Sequence, residues 1–168
     1  MAVLERMVTV SRAAPGTSLE TVFAIIRAAH ARNGLAGLTG GLIFLDGSFV
    51  QVLEGLPGPL AETRARIARD PRHGAWEQRA RERALCRLFP DQPLALRTRA
   101  CLDPRVLDDF GYVAGFPAQR FPADELLEFV LAACRPRRAG RGAAAGAAAA
   151  PVAPAPRLAV PGRYRALP

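Results

Sequence analysis

Residues 38–55 read LTGGLIFLDGSFVQVLEG, and no other stretch of the chain restricts the fold as tightly. Two apolar runs flank Asp46-Gly47, the dipeptide that suits the type I′ turn joining twisted antiparallel strands. A β-hairpin is therefore expected here. The second strand of that hairpin has an unexpected centre. Successive side chains alternate between faces, so Phe49, Gln51 and Leu53 share one, with a glutamine between two large apolar residues. Burying a primary amide without partners is costly. Either the strand is an edge strand whose Gln51 reaches water, or something polar meets the amide inside.

The flanking segments extend the pattern. RMVTVSR reads as a first strand over about residues 6–12. APGTSLE breaks it and opens a helix, with Thr17 and Glu20 at the spacing of a capping box. Leu19, Val22, Phe23, Ile26 and Ala29 or His30 recur at helical spacing, and continuing that stripe reaches Asn33. Gly34 follows as a residue suited to end the helix. A second helix is expected in LPGPLAETRARIARD, with Leu60, Thr63 and Ile67 inward. Arg66 and Asp70, four residues apart on its flank, can pair with each other or share a ligand.

Beyond it, AWEQRARERALCRLF is ambiguous. Its Ala, Glu and Arg favour helix, whereas Glu77, Arg79, Arg81 and Arg83 alternate as an exposed strand face would. LALRTRA is a plausible last strand, Asp103-Pro104 starts a short helix, and PADELLEFVLAAC gives another with acids at its N-terminal end. The order β-α-β-β-α-β is an α+β, ferredoxin-like sheet with two helices on one face, followed by C-terminal helices. The expected divisions are a domain over 1–100, a helical extension over 101–135 and an Arg/Ala/Pro-rich flexible tail over 136–168.

Composition matters mainly for what it excludes. The net charge of +8 suggests nucleic-acid binding until it is located. Residues 1–134 hold sixteen arginines against all fifteen acidic residues, and seven more arginines follow without an acid. The folded part is nearly neutral, so charge supports only weak polyanion binding by the tail. Cys86, Cys101 and Cys134 sit at unrelated spacings, and two histidines give zinc little support. No metal site is expected. The thiols read as reduced and the location as cytoplasmic; neither a signal peptide nor a membrane span is apparent.

Taken together, VSRA at 10–13, Asn33, LTG at 38–40, FVQVLEG at 49–55, RIARDPRH at 66–73 and RLFPD at 87–91 resemble the BLUF family of blue-light sensors using flavin. The resemblance covers about residues 5–97. It implies a flavin, usually FAD, inserted between the two helices. It further implies that Asn33 binds the carbonyl and imide edge of the ring and Gln51 bonds toward N5 and the adjacent carbonyl. Arg66 and Asp70 would help hold the pyrimidine side. Family photochemistry also requires a first-strand tyrosine that gives an electron and a proton to the excited flavin. That position is Thr9 here, and a threonine hydroxyl can do neither. The Trp and Met of the family's fifth-strand region also depart, at Gln92, Pro93 and Leu94. A sensory module with impaired photochemistry is therefore expected, signalling through contacts with an unidentified protein partner, and short members of the family often act as homo-oligomers.

Two other classes compete. A flavin-free interaction domain would keep the fold and lose the sensing. An enzyme is poorly supported, because neither His30 nor His73 belongs to a recognisable nucleophile–base arrangement and no nicotinamide motif is present.

Overall fold

Alternation of side chains between two apolar layers sets the architecture. The computed structural model describes residues 3–134. The elements run β1 (Leu4–Ala13), α1 (Leu19–Leu35), β2 (Thr39–Leu45), β3 (Ser48–Gly55), α2 (Pro57–Arg69), β4 (His73–Ala84), β5 (Ala95–Thr98), α3 (Pro104–Asp109) and α4 (Ala123–Cys134). The sheet order is β4-β1-β3-β2-β5. The first four strands pair antiparallel in the expected ferredoxin-like order, and β5 joins β2 in parallel.

The hairpin forms as its turn dictates. Asp46 and Gly47 have φ of 48° and 75°, the two positive values a type I′ turn requires. β3 lies between β1 and β2, and all eight of its residues are buried. Gln51 is therefore not on an edge strand.

One face of the sheet carries Met7, Leu42, Phe49 and Leu53, packed against Val22 and Ile26 of α1 and Leu60 of α2. The other carries Val8, Val10, Ile43, Leu45, Val50 and Val52. Residues 102–134 cover this second face, chiefly through Phe116, Leu126, Phe129 and Val130. The approach is close at Gly41, where an added Cβ would lie 2.7 Å from Val130 Cγ1. The turn is tied to the same segment, because the Asp46 carboxylate accepts hydrogen bonds from the Tyr112 hydroxyl and the Gly115 N–H.

Several local expectations change. Ser18, not Thr17, caps α1 by accepting from the Thr21 N–H at 3.2 Å, while the Thr17 hydroxyl bonds back to the Ala14 carbonyl. Gly34 lies within α1, and Gly37, at φ 64°, carries the chain out of it. The buried stripe of α1 is Val22, Ile25, Ile26 and Asn33, whereas Leu19 and Phe23 are exposed. The ambiguous segment resolves as β4, an edge strand paired only with β1 and irregular opposite Val8–Thr9 and Val10–Arg12.

A buried ionic cluster fixes the loop between β4 and β5. Glu54 is fully buried and accepts from Arg6 Nε at 2.8 Å and from the N–H groups of Leu88 and Phe89. Arg87 ties the same loop to the Thr39 hydroxyl and to the carbonyls of Gly37 and Glu54. Three partners satisfy a carboxylate whose burial alone would be prohibitive. The Gly40 N–H then bonds to the Gln92 carbonyl, so this loop runs directly beside the start of β2.

Among the described residues no helix is long and apolar enough to cross a membrane, and no group of three His, Cys, Asp or Glu could hold a metal ion. All three cysteines are free thiols; burial pushes that of Cys134 up to about 11. The expected tail over 136–168 lies outside the described residues.

Candidate functional site

The two helices and the sheet leave a cavity of about 60 Å³ between them. Asn33, Gln51, Arg66 and Asp70, four residues drawn from α1, β3, α2 and the turn after α2, all line it. Each arrives there for a local reason.

Gln51 reaches the cavity by strand alternation, between Phe49 and Leu53 on the helix-facing side. Its neighbours across the sheet are Thr9 on β1 and Leu42 on β2. No described residue hydrogen-bonds its side-chain amide. Asn33 arrives by helical periodicity, two turns beyond Ile26 and one beyond Ala29 on the face toward the sheet. It is 1% exposed, and its Nδ2 donates to the Pro93 carbonyl at 3.0 Å. Its Oδ1 accepts nothing from the described residues. Two inward amides with unmatched hydrogen-bonding capacity therefore face the same space. Amides placed in this way can present donors and acceptors to the polar edge of a ligand.

Asp70 caps α2, and its partner is Arg72 rather than Arg66. Arg72 grips both carboxylate oxygens, Nε to Oδ1 at 2.9 Å and Nη2 to Oδ2 at 2.6 Å, while its own N–H bonds to Oδ1. That hydrogen bonding holds the Asp70 carboxyl at about 2, well below the ordinary carboxylate range. The ring of His73 lies 4.7 Å from that of Phe49, and its Nδ1 is 2.9 Å from Ser11 Oγ. Burial pushes the His73 pKa down, so the imidazole is neutral near pH 7.

Arg32, Arg72 and His73 also line the cavity and were not singled out as site residues by the sequence. A signal for Arg72 was present: an aspartate two residues before it at a helix end, the spacing at which an Asp side chain takes the backbone N–H. His73 follows from the register, since it pairs with Ala13 at the end of β1.

Thr9 lies next to the cavity rather than in its wall. It is 3% exposed, on the same face as Met7 and Ser11, and its strand neighbours are Gln51 on one side and Gln78 on the other. Arg64 of α2 donates to Gln78 Oε1 at 2.8 Å. Gln51, Thr9 and Gln78 thus form a polar row across three strands beneath α2.

Whether a flavin fits can be judged from chemistry and from space. The donors and acceptors suit a ring with a carbonyl and imide edge: two amides for paired donor–acceptor contacts, with guanidinium groups nearby. The space is narrower than the roughly 300–1,000 Å³ of ordinary small-molecule sites. A three-ring ligand therefore enters only as α1 and α2 separate.

The chain matches the family described as BLUF, sensors of blue-light using FAD, over residues 4–95. It is 36% identical over 70 residues to the photoactivated adenylate cyclase subunit beta of Euglena longa, a match spanning 42% of this chain and 8% of that protein. Among solved structures, the BLUF protein BlrB in its dark state is 27% identical, with a TM-score of 0.62 over 79% of this chain and 98% of that one. The photo-activated state of BlsA superposes with a TM-score of 0.67 over 76% and 94% of the two chains; at 19% identity it speaks to the fold alone.

Proposed function

Because the chain belongs to the BLUF family, sensor modules that bind flavin, we propose that residues 4–95 hold FAD in the cavity between α1 and α2, and that the photochemical trigger is impaired. The observation that carries the binding half is the convergence of Asn33 and Gln51, two amides with spare hydrogen-bonding capacity, on one enclosed space. In this reading Asn33 and Gln51 present donors and acceptors to the ring edge. Arg66 and Asp70 border the same site, with Asp70 kept ionised and fixed by Arg72.

Bound flavin would supply the absorption of blue light and, once excited, the capacity to draw an electron. The remaining chemistry belongs to the chain. Gln51 can exchange its donor and acceptor by rotating its amide, but rotation must be driven. Thr9 stands directly across from it, and an aliphatic hydroxyl neither gives up an electron readily nor carries an acidic phenolic proton. The Thr9 hydroxyl can donate or accept, so it fits either orientation of the Gln51 amide and drives no exchange between them. The neutral His73, bonded to Ser11, shapes the floor beside Phe49.

The signalling surface follows from the same layout. A change at the cavity can reach Pro93 through Asn33 and reach the β4 edge through Gln78 and Arg64. An unidentified cytoplasmic protein, or a second copy of the chain, would read one of these edges. The adenylate cyclase activity named for the Euglena longa relative is not carried over, since the match spans only a small part of that protein.

The test is equilibrium binding of FAD to the purified chain, followed by flavin fluorescence and absorbance. Saturable binding that weakens in Asn33→Ala, with the melting temperature retained, supports the site. A refoldable protein that takes up no flavin refutes it and favours the second reading, a flavin-free interaction domain. The narrow cavity and Thr9 are the observations behind that alternative.

A further inference from the structure

The cavity does not end at its mouth. Arg66, Asp70 and Arg72 line both the inner space and an open concavity of about 690 Å³ outside it. Arg69 and Glu62 belong to the outer concavity alone. We propose that this outer concavity is an anion subsite that takes the phosphate of a phosphorylated flavin, FMN or FAD, and so sets it apart from riboflavin. The inference rests on the flavin reading above and adds to it which end of the ligand is recognised.

Three guanidinium groups converge on the concavity, and one of them is already engaged. Arg72 is locked to Asp70 through both carboxylate oxygens, which neutralises the single carboxylate at the mouth. Arg66 and Arg69 meet no acceptor among the described residues. They project from the last turn of α2, where they also oppose the partial negative charge of the helix end. That role needs charge nearby but no hydrogen-bond partner, and it leaves both guanidinium forks available to phosphate oxygens.

The amides of Asn33 and Gln51 lie within the inner cavity, so a ligand that presents its ring edge to them trails its substituent outward. Arg66, Asp70 and Arg72, shared by the two spaces, border a route by which the substituent can leave. A sugar chain alone would offer those arginines only neutral hydroxyl acceptors, whereas a phosphate would give two unpaired guanidinium groups charged ones. One group opposes this. Glu62 lies four residues before Arg66 on the same wall, and its carboxylate weakens the site without abolishing its positive balance.

Riboflavin, FMN and FAD are titrated into the full chain, at low and at high salt, with flavin fluorescence as the readout. FMN and FAD should bind about ten- to a hundredfold more tightly than riboflavin at low salt, and the gap should narrow as salt rises. Arg69→Gln, which leaves the inner cavity untouched, should weaken FMN severalfold and leave riboflavin unchanged. Glu62→Gln should strengthen FMN and again leave riboflavin unchanged. Equal affinity for riboflavin and FMN would overturn the phosphate subsite while leaving the flavin site standing. If Arg69→Gln lowers both alike, the arginine supports the fold or the ring site and the proposal also fails. If none of the three flavins binds, both readings fall together.

Discussion

The two faces of the sheet come from the same strands and do different work. The far face offers Val8, Val10, Ile43, Val50 and Val52 to Phe116, Leu126, Phe129 and Val130, and its buried polar groups, Ser48 and Glu54, are bonded to the Phe116 carbonyl and to Arg6 and the Leu88 and Phe89 N–H groups. The near face begins in the same way with Met7, Leu42, Phe49 and Leu53, but places Thr9, Ser11 and Gln51 among them. Residues one apart in β1 and β3 thus separate a packed core from a polar floor. On the far face each buried polar side chain has its partner within the fold, whereas the near face retains hydrogen-bonding capacity that the fold itself does not use.

That contrast can be broken from either side. The largest effect should come from the far face: Phe129→Ala removes a buried ring and should cost about 3–5 kcal/mol, read as a lower denaturation midpoint. By comparison Gln51→Leu, one layer away, should leave stability within about 1 kcal/mol, because it replaces an unbonded amide with an apolar group of similar size. Similar losses in both variants would mean that the faces are not specialised as described.

Ligand affinity sharpens the comparison next. Asn33→Ala should weaken flavin binding by about 1–3 kcal/mol per lost contact while sparing the fold, as titration and thermal melting together can determine. Loss of the bond to Pro93 should also loosen the 85–94 loop, seen as faster amide exchange there.

The smallest effects concern pH. Asp70 is depressed to about 2 from an ordinary 3.8, so its contribution is complete above pH 3.8 and is lost as pH falls toward 2. Its position near the surface limits this to about 1 kcal/mol. His73, whose pKa is also lowered, acts in the same direction at a higher pH: the folded state resists its protonation, so stability declines as pH drops below about 6.5. Asp70→Asn should flatten the acid limb in urea melts collected between pH 2 and 5, and should enlarge the step below about 6.5, because the Asp70 charge holds the His73 pKa up.

How much of this was legible depended on whether one residue type dominated its surroundings. Asp46-Gly47 permits few alternatives, so the hairpin could be read directly; it left Gln51 either at a wet edge or inward, and the family resemblance favoured inward. Asn33 was legible because it completes a stripe begun at Val22 and Ile26. β4 was not, since a partly exposed edge strand shows little apolar alternation and its Ala, Glu and Arg residues are good helix formers. The roll of α1 was also misjudged: Leu19 and Phe23 fit the helical period but lie beyond the region that the sheet covers. Arg72 was missed because its bond to Asp70 forms after α2 ends, where helical spacing no longer applies. The closure of the far face by residues 102–134 depends on long-range packing, which no local pattern encodes.

The central claim is that the near face keeps a flavin site while Thr9 withholds the electron and proton that would drive Gln51. A light-minus-dark difference spectrum of the FAD-loaded chain tests it most directly, with Thr9→Tyr measured beside it. The account predicts a bound oxidised-flavin band and no reversible red shift in the wild-type chain. In Thr9→Tyr it predicts a red shift, at an overpacking cost of about 1–3 kcal/mol in stability. A reversible red shift in the wild-type chain would contradict it.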